Sequence, residues 1–215
     1  MYKRHVVVVE NESLLRDLIA QTLEGAGFQV TTAANVSDAK RAVVSVDPDA
    51  VVVDIELGPG PNGFDFAEYL TRTAPDVGIV FLTNIPDPRF VGREKKEVPQ
   101  NAAYLRKSQL VNTTELIDAL EAVLKDRVSV KFRHDLDSTR PFAKLSKKQL
   151  GVLALVAKGM SNTQIAEIRG TTVRAVEGMV SRVFEALEIN PAADGNARVE
   201  AARLFLKATG NITGQ

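Results

Sequence analysis

Carboxylate and amide side chains directly follow two valine-rich runs in the first part of the sequence. The run VVVV leads into Glu10, Asn11 and Glu12, and the run AVVV leads into Asp54. Carboxylate and amide oxygens are ligands that divalent cations accept in proteins, and an aspartate carboxylate can serve as a nucleophile. The sequence therefore predicts a site at which Glu10 and its neighbour hold a cation and Asp54 accepts a phosphoryl group.

Two later apolar runs end in side chains that can hold phosphoryl oxygens. IVFLT ends in Thr83, and AAYLR is followed by Lys107. A hydroxyl and an ammonium group both donate hydrogen bonds to an anion, and the ammonium group adds a positive charge. All these groups can act together only if the runs are strands of one parallel sheet, because the carboxyl ends of such strands converge.

The first 124 residues have the pattern that such a sheet requires. Short β-branched runs alternate with amphipathic helical patterns, which is typical of strands buried on both faces. The runs are HVVVVE, FQVTTA, AVVVD, VGIVFLT and AAYL. Five strands and about five helices in this order predict a doubly wound α/β domain with a five-stranded parallel sheet over residues 1–124. Residues 86–100, charged and flanked by prolines, are predicted to form a mobile fourth helix.

Residues 125–215 contain no strand pattern. The polar stretch 125–143 is the predicted linker, and residues 144–215 are predicted to form an all-α domain of four helices. The helical patterns cover approximately 146–158, 161–169, 172–188 and 197–208. Two short helices joined by a tight turn before a longer one predict a helix-turn-helix, which can place a helix in the major groove of DNA. The third pattern has an apolar stripe that we expect in the core: Val173, Val176, Val180, Val183, Phe184 and Leu187.

Composition narrows the classes of protein further. The chain has no cysteine, and its two histidines, His5 and His134, are far apart in sequence, so disulfides and Cys- or His-based metal clusters are excluded. Residues 1–124 carry 12 Lys and Arg against 18 Asp and Glu, whereas residues 125–215 carry 15 against 9. The basic second half suits a polyanionic partner. No apolar run approaches the roughly 20 residues of a membrane span, and the amino terminus lacks a signal-peptide pattern, so we expect a cytoplasmic protein without membrane contact.

The order of these site residues along the chain resembles the receiver domain of two-component response regulators. The resemblance covers residues 1 to about 124 and rests on the acidic run after the first strand, the Asp after the third, the Thr after the fourth and YLRK. It implies that a histidine kinase transfers a phosphoryl group to Asp54 with Mg²⁺ bound. It also implies that the cation is bound by Glu10, Asn11, Asp54 and Glu56. Thr83 and Tyr104 would change position in the switch, and Lys107 would bind the phosphoryl group.

Three positions depart from the receiver pattern. Asn11 stands where the family usually has a second carboxylate, so the sequence predicts weaker Mg²⁺ binding. The loop DIELGPGPNG is one residue longer than usual, which would shift the backbone oxygen of Glu56. Ser108 replaces a proline that follows a cis bond in the family, so this turn is expected to be built differently.

The motif LS…GMSNTQIAE…TTVRAVEGMVSRVFEAL resembles the DNA-binding domains of the LuxR/FixJ class, over residues 144 to about 209. The resemblance implies binding to double-stranded DNA as a homodimer, with the last helix, which carries Val199, Ala202 and Leu206, packing or dimerising. The residues implied at the DNA are Thr172, Arg174, Glu177, Gly178, Ser181 and Arg182. Glu177, Gly178 and Ser181 are expected nearest the base edges, and the two arginines nearest phosphates.

These observations together predict a DNA-binding transcriptional response regulator, not an enzyme, that is switched by phosphorylation of Asp54. One alternative is an atypical regulator that binds DNA independently of phosphorylation. A second is a phosphohydrolase with an aspartyl-phosphate intermediate, although Glu56 stands where such enzymes place a second aspartate. A third is a signalling adaptor without a role at DNA, which would lack salt-dependent DNA binding.

Overall fold

The chain forms two compact units in the structure, a computed structural model that describes residues 3–189 and 196–209. The first unit comprises the chain up to Asn84 together with Lys96–Leu136, and the second comprises Ile85–Lys95 together with the chain from Asp137 onwards. We call them the α/β unit and the helical unit. Each contains its own buried apolar clusters. In the part of the chain that the structure describes, no helix combines the length and the apolar character needed to cross a membrane.

A five-stranded parallel sheet forms the centre of the α/β unit, which confirms the predicted fold class. The strands lie in the order β2-β1-β3-β4-β5. Their bounds are β1 His5–Val9, β2 Gln29–Ala33, β3 Ala50–Val53, β4 Gly78–Thr83 and β5 Ala103–Arg106. Valines dominate β1 and β3, both of which are buried along nearly their whole length. These two strands are central because β-branched side chains can fill both faces of the sheet at once.

Four α-helices connect or flank the strands. They are α1 Ser13–Gly25, α2 Val36–Val46, α3 Gly63–Thr73 and α4 Thr113–Leu124. Asparagines at positions 35, 62 and 112 cap α2, α3 and α4 by accepting hydrogen bonds from backbone N–H groups of the first turn. Such caps fix where each helix begins, because they satisfy donors that have no partner within the helix.

The prediction of a helix over residues 86–100 was wrong. This stretch contains two short 3-10 helices, Pro88–Val91 and Lys95–Glu97. Pro86 and Pro88 disfavour helical backbone at the residues before them, and Gly92 ends the first 3-10 helix with a φ of +75°. The chain therefore does not form a continuous helix here, although the charged sequence between the prolines resembles a solvent-exposed helix.

The segment predicted as the linker contains ordered structure against the last strand. Two 3-10 helices, Val130–Phe132 and His134–Leu136, lie within it. The Phe132 side chain is buried in the core of the α/β unit, and the backbone N–H of Arg106 donates to His134 Nδ1 at 3.0 Å. Residues up to Leu136 thus extend the α/β unit along β5, and the helical unit resumes at Asp137.

The described residues of the helical unit form four α-helices: α5 Lys147–Ala157, α6 Asn162–Arg169, α7 Val173–Ala186 and α8 Ala197–Thr209. Capping boxes begin α5 and α6, each formed by a serine and the glutamine three residues later. Gly170, with a φ of +59°, ends α6 and makes the tight turn before α7. The predicted helix-turn-helix is therefore present. Val176, Val180 and Val183 are buried as predicted, but Val173 is 38% exposed because it lies in the first turn of α7.

Candidate functional site

The sheet topology brings the ends of β1 and β3 together. The two strands are neighbours with Val9 paired to Val53, and the backbone N–H of Asp54 donates to the carbonyl of Val9 at 2.9 Å. The strand order runs from β1 in opposite directions to β2 and to β3, which is the position where doubly wound sheets open a crevice at the carboxyl ends. Glu10 and Asp54 therefore emerge side by side at this crevice.

Lys107 bridges the two carboxylates. Its Nζ donates to Glu10 Oε2 at 2.6 Å and to Asp54 Oδ2 at 2.7 Å. Both carboxylates are buried, with Glu10 1% and Asp54 6% exposed. Burial and the nearby Asp54 charge raise the pKa of Glu10 even though Lys107 opposes them. Burial alone would lower the pKa of Lys107, but the two carboxylates outweigh it and raise that pKa, so the ammonium form is held firmly.

The backbone after Asp54 is held in place by the start of α3. Glu56 N–H donates to Asp54 Oδ1 at 3.2 Å, and Gly63 N–H donates to Ile55 O at 3.0 Å. A Cβ at Gly63 would lie 2.3 Å from the carbonyl oxygen of Asp54, so only glycine permits this approach. Burial and the Asp54 charge raise the pKa of the Glu56 carboxyl to about 7. The loop thus presents the Glu56 carbonyl near a crowded set of acidic groups.

Asn11 can serve this site in two orientations of its amide. One terminal atom of the amide lies 3.1 Å from the Glu56 carbonyl oxygen and 3.0 Å from Glu10 Oε1. With the NH₂ group there, Asn11 donates to both oxygens and closes the site without a cation. With the amide oxygen there, three oxygens converge at the roughly 3 Å spacing of neighbouring ligands around Mg²⁺.

The oxygen atoms of this site fit the ligand preferences of Mg²⁺. Glu10, Asp54, the Asn11 amide oxygen and the Glu56 carbonyl supply oxygen ligands with only two carboxylate charges, and Mg²⁺ commonly uses one or two carboxylates with neutral oxygens and water. Over the described ranges 3–189 and 196–209, no three Asp, Glu or His side chains form a metal-binding group. Because position 11 is an amide, these ligand groups carry one negative charge fewer than they would with a carboxylate there.

Thr83 and Tyr104 occupy buried positions on the two strands nearest Lys107. Thr83 ends β4 and pairs in register with Arg106, the residue before Lys107. Both Thr83 and Tyr104 are fully buried, and the Tyr104 ring packs 5.8 Å from the Phe81 ring, measured between centroids. Among the described residues every peptide bond is trans, including the one before Ser108.

Two residues that the sequence did not single out hold the site together. Arg16, in the first turn of α1, donates to the carbonyl oxygen of Glu10 at 2.8 Å and of Asn11 at 3.4 Å. Gly63 makes the close approach to Asp54 described above. Arg16 follows the acidic run by a few residues, which could have indicated its role. Nothing in a single sequence indicates that position 63 must lack a Cβ.

The residues predicted at DNA lie along one side of α7 and at its N-cap, Thr172. Thr172 caps the helix by accepting from Ala175 N–H at 3.2 Å, and the opposite side packs into the core through valines. Gly178 is half-buried, and the other five are exposed: Thr172, Arg174, Glu177, Ser181 and Arg182. An amphipathic helix that follows a tight turn and leaves arginines in solvent has the form of a recognition helix. On α8 the buried residues are Ala201, Phe205 and Thr209, whereas Val199 is 63% exposed.

Two family models match the chain in the order that the fold suggests. The response regulator receiver domain matches residues 6–121, and the LuxR family of bacterial regulatory proteins matches residues 143–194. The first match covers more than half of the chain. The chain therefore belongs to the response regulators, and it is one that carries a LuxR-type DNA-binding domain. The combination of the two domains makes this chain a DNA-binding transcription regulator of two-component signalling and not an enzyme.

Individual relatives match nearly the whole chain at low identity. The oxygen regulatory protein NreC of Staphylococcus haemolyticus is 24% identical over 200 residues, which span 86% of this chain and 91% of the relative. NreC of Staphylococcus carnosus is 26% identical over 204 residues, with the same coverage. The solved structure of the response regulator RcsB in complex with DNA is 18% identical, with a TM-score of 0.58, over 99% of this chain and 100% of RcsB. A structure of two RcsB dimers bound to two parallel DNAs is 17% identical, with a TM-score of 0.57, over 95% and 99%.

Proposed function

We propose that this protein is a cytoplasmic transcription regulator whose DNA binding is switched when a histidine kinase phosphorylates Asp54. The observation that carries the proposal is the Lys107 bridge between Glu10 and Asp54, with 2.6 Å and 2.7 Å contacts at the carboxyl ends of the strands. An ammonium group held against a single strand-end aspartate supplies positive charge where a phosphoryl group would arrive.

Phosphorylation would form a bond between an Asp54 carboxylate oxygen and phosphorus while the bond from phosphorus to the kinase histidine nitrogen breaks. Lys107 then keeps its contact with Glu10 and donates to a phosphoryl oxygen, because its Nζ already lies 2.7 Å from Asp54 Oδ2. The hydroxyl of Thr83, at the end of the next strand, is the second expected donor. Mg²⁺, when bound, supplies charge neutralisation for the phosphoryl oxygens.

We infer that Glu10, Asp54, the Glu56 carbonyl and the Asn11 amide oxygen hold this Mg²⁺. Binding would require the Asn11 amide to present its oxygen, so the two hydrogen bonds that its NH₂ group can donate would be lost. The amide also contributes no negative charge. Both effects favour weak binding, and they also support the second candidate function, a regulator that binds DNA independently of phosphorylation.

We propose that α7 binds the major groove of double-stranded DNA through Thr172, Arg174, Glu177, Gly178, Ser181 and Arg182. The exposure of five of these residues on one side of the helix supports this assignment. DNA sites for such proteins often repeat with two-fold symmetry because the protein binds as a dimer. The structure in which RcsB dimers are bound to DNA supports binding of this chain to DNA as a dimer.

DNA affinity of the full-length protein, measured before and after treatment with acetyl phosphate and Mg²⁺, tests the proposal. The probe is duplex DNA enriched by the purified protein from a random-sequence library. We expect phosphorylation to change the Kd by about fivefold or more, and the Asp54→Ala variant to show no change. Salt-dependent binding that is identical in treated, untreated and Asp54→Ala protein would favour the phosphate-independent regulator. Absence of salt-dependent binding would contradict both.

A further inference from the structure

The connection between β4 and β5 belongs to the helical unit for most of its length. The chain leaves the α/β unit after Asn84, one residue beyond Thr83, and returns at Lys96. Between them the segment Ile85–Lys95 packs with the chain from Asp137 onwards. We call Ile85–Lys95 the crossing segment. Only Asn84 lies between it and the candidate switch residue Thr83.

A buried ion network anchors the crossing segment in the helical unit. Asp87 is fully buried and accepts from Arg89 Nε at 2.8 Å and Arg89 Nη2 at 2.6 Å. It also accepts from Nε of Arg140, which belongs to the part of the helical unit that begins at Asp137, at 2.8 Å. Burial alone would raise the pKa of Asp87, but the hydrogen bonds from Arg89 and Arg140 outweigh it and lower that pKa. The network therefore stays charged at neutral pH.

Arg89 extends this network to the backbone ahead of α5. Its Nη2 donates to the carbonyl of Phe142 at 3.2 Å, and its Nη1 donates to the carbonyl of Leu145. Arg140, which shares Asp87, is only 6% exposed. A buried charge left without its partner is strongly unfavourable, so we expect the ion pairs of this network to form or break together.

An aromatic cluster forms the second anchor. The Phe90 ring lies 5.9 Å from the Phe142 ring and 5.5 Å from the Phe205 ring, and the latter two are 6.2 Å apart. Phe205 is a buried residue of α8, so the crossing segment completes part of the apolar core of the helical unit. Beyond this cluster, Glu94 accepts from Lys147 in the first turn of α5 at 2.9 Å.

We infer that the crossing segment is the coupling element through which the state of the Asp54 site changes DNA binding. The inference rests on the proposed function, because it assigns the route by which that function is regulated. Only three residues separate Thr83 from Asp87, and each residue of an extended chain spans at most about 3.5 Å. A backbone shift at Thr83 therefore has little slack to absorb it before it reaches the anchors, which contact the segments preceding α5 and the helix α8.

Two anchor variants of the full-length protein test this route. Phe90→Leu removes the aromatic contact while keeping an apolar side chain, and Asp87→Asn weakens the ion network. Lys144→Gln is the matched control, because the Lys144 side chain forms an exposed ion pair with Glu188 and contributes to neither anchor. Each protein is first checked for a cooperative unfolding transition and for binding of the unphosphorylated form to the selected DNA. Phe90→Leu keeps the test decisive if Asp87→Asn does not fold.

The decisive quantity is the ratio of the DNA Kd values before and after phosphorylation, with the phosphoryl adduct verified by intact mass. We expect Lys144→Gln to keep the wild-type ratio and the anchor variants to bring it within about twofold of one, although they still bind DNA and accept the phosphoryl group. Anchor variants that keep the wild-type ratio would overturn the inference. So would wild-type protein that is phosphorylated without any change in DNA affinity.

A second measurement separates failure of the inference from failure of the proposed function. Lys107→Ala disturbs the Asp54 site without any phosphoryl donor. We expect hydrogen–deuterium exchange of this variant to differ from wild type in peptides covering 85–95 and α8, and to be unchanged in peptides covering α6. If Asp54 accepts no phosphoryl group, the proposed switch fails but this comparison still decides the coupling. Identical exchange over 85–95 and α8 would refute it.

Discussion

At the scale of single residues, we expect the Asn11 amide to limit how strongly the site binds a cation. Its NH₂ group can donate to Glu56 O and Glu10 Oε1, and only its oxygen can face a metal ion. We predict that Asn11→Asp raises Mg²⁺ affinity by about tenfold, because it adds a charged oxygen ligand and removes the competing donor. Isothermal titration with Mg²⁺ measures this change.

Asn35→Asp is the matched control for this titration, since it adds the same charge at the cap of α2. An equal Mg²⁺ affinity in wild type and Asn11→Asp would show that position 11 does not limit cation binding. We also expect Asn11→Asp to be less stable than wild type without Mg²⁺, because a further carboxylate then lies beside Glu10 without a donor.

The raised pKa of Glu56 predicts a pH dependence of stability. Its carboxyl has a pKa of about 7 in the folded protein against an ordinary value of 4.5. The folded state therefore holds this proton more tightly than the unfolded state, and stability is lost as the pH rises from about 4.5 through about 7. Glu56→Gln stays neutral and should become more stable than wild type by about 1 kcal/mol at pH 8, after allowance for partial exposure.

Chemical denaturation at pH 5 and pH 8 measures this difference. The variant and wild type should differ much less at pH 5, where Glu56 is largely protonated. Glu24→Gln, which replaces an exposed carboxylate on α1, should change little between the two pH values. A stability difference for Glu56→Gln that is the same at both pH values would contradict the assigned pKa.

At the scale of elements, Gly178 distinguishes helix stability from DNA contact on α7. A Cβ there would meet only the end of the flexible Arg182 side chain, at 3.7 Å, so packing within the unit does not require glycine. We predict that Gly178→Ala stabilises the protein by about 0.5–1 kcal/mol through helix propensity. It should also weaken DNA binding, because the backbone could no longer approach the base edges. Increased stability with unchanged DNA affinity would place the DNA contact elsewhere on the helix.

Arg182, one of the two exposed arginines of α7, gives a second prediction for the same element. Arg182→Ala should weaken DNA binding similarly across sequences and reduce the magnitude of the slope of log Kd against log salt by about one. Arg203→Ala removes an exposed arginine from α8 instead and should leave that slope unchanged. Equal salt slopes for the two variants would contradict the assignment of α7 as the helix at DNA.

Elements with strong local patterns could be predicted from the sequence, and elements fixed by distant contacts could not. Valine-rich runs predicted the strands, and their parallel arrangement predicted that Glu10, Asp54 and Lys107 would meet. The stretch after β4 was missed because the position of Asp87 depends on Arg140, 53 residues away. Its polar residues look solvated in sequence, whereas the structure buries Asp87 between two arginines.

At the scale of the whole molecule, the chain combines a candidate phosphoacceptor site in the α/β unit with a helix-turn-helix in the helical unit. The sequence predicted both parts, because each resembles a family with its own motifs. It did not predict that the chain crosses from one unit to the other at Asn84 and returns at Lys96. This exchange depends on side chains such as Phe90 and Phe205, whose proximity no local pattern records.

The proposed switch depends on the transfer of a phosphoryl group to Asp54, which intact mass spectrometry of the protein can detect. Full-length wild-type protein, Asp54→Ala and Asn11→Asp are incubated with acetyl phosphate and Mg²⁺. We predict a single phosphoryl adduct on wild type, none on Asp54→Ala, and a faster or more complete adduct on Asn11→Asp at low Mg²⁺. An adduct of equal extent on Asp54→Ala, or none on folded wild-type and Asn11→Asp protein alike, would contradict this prediction.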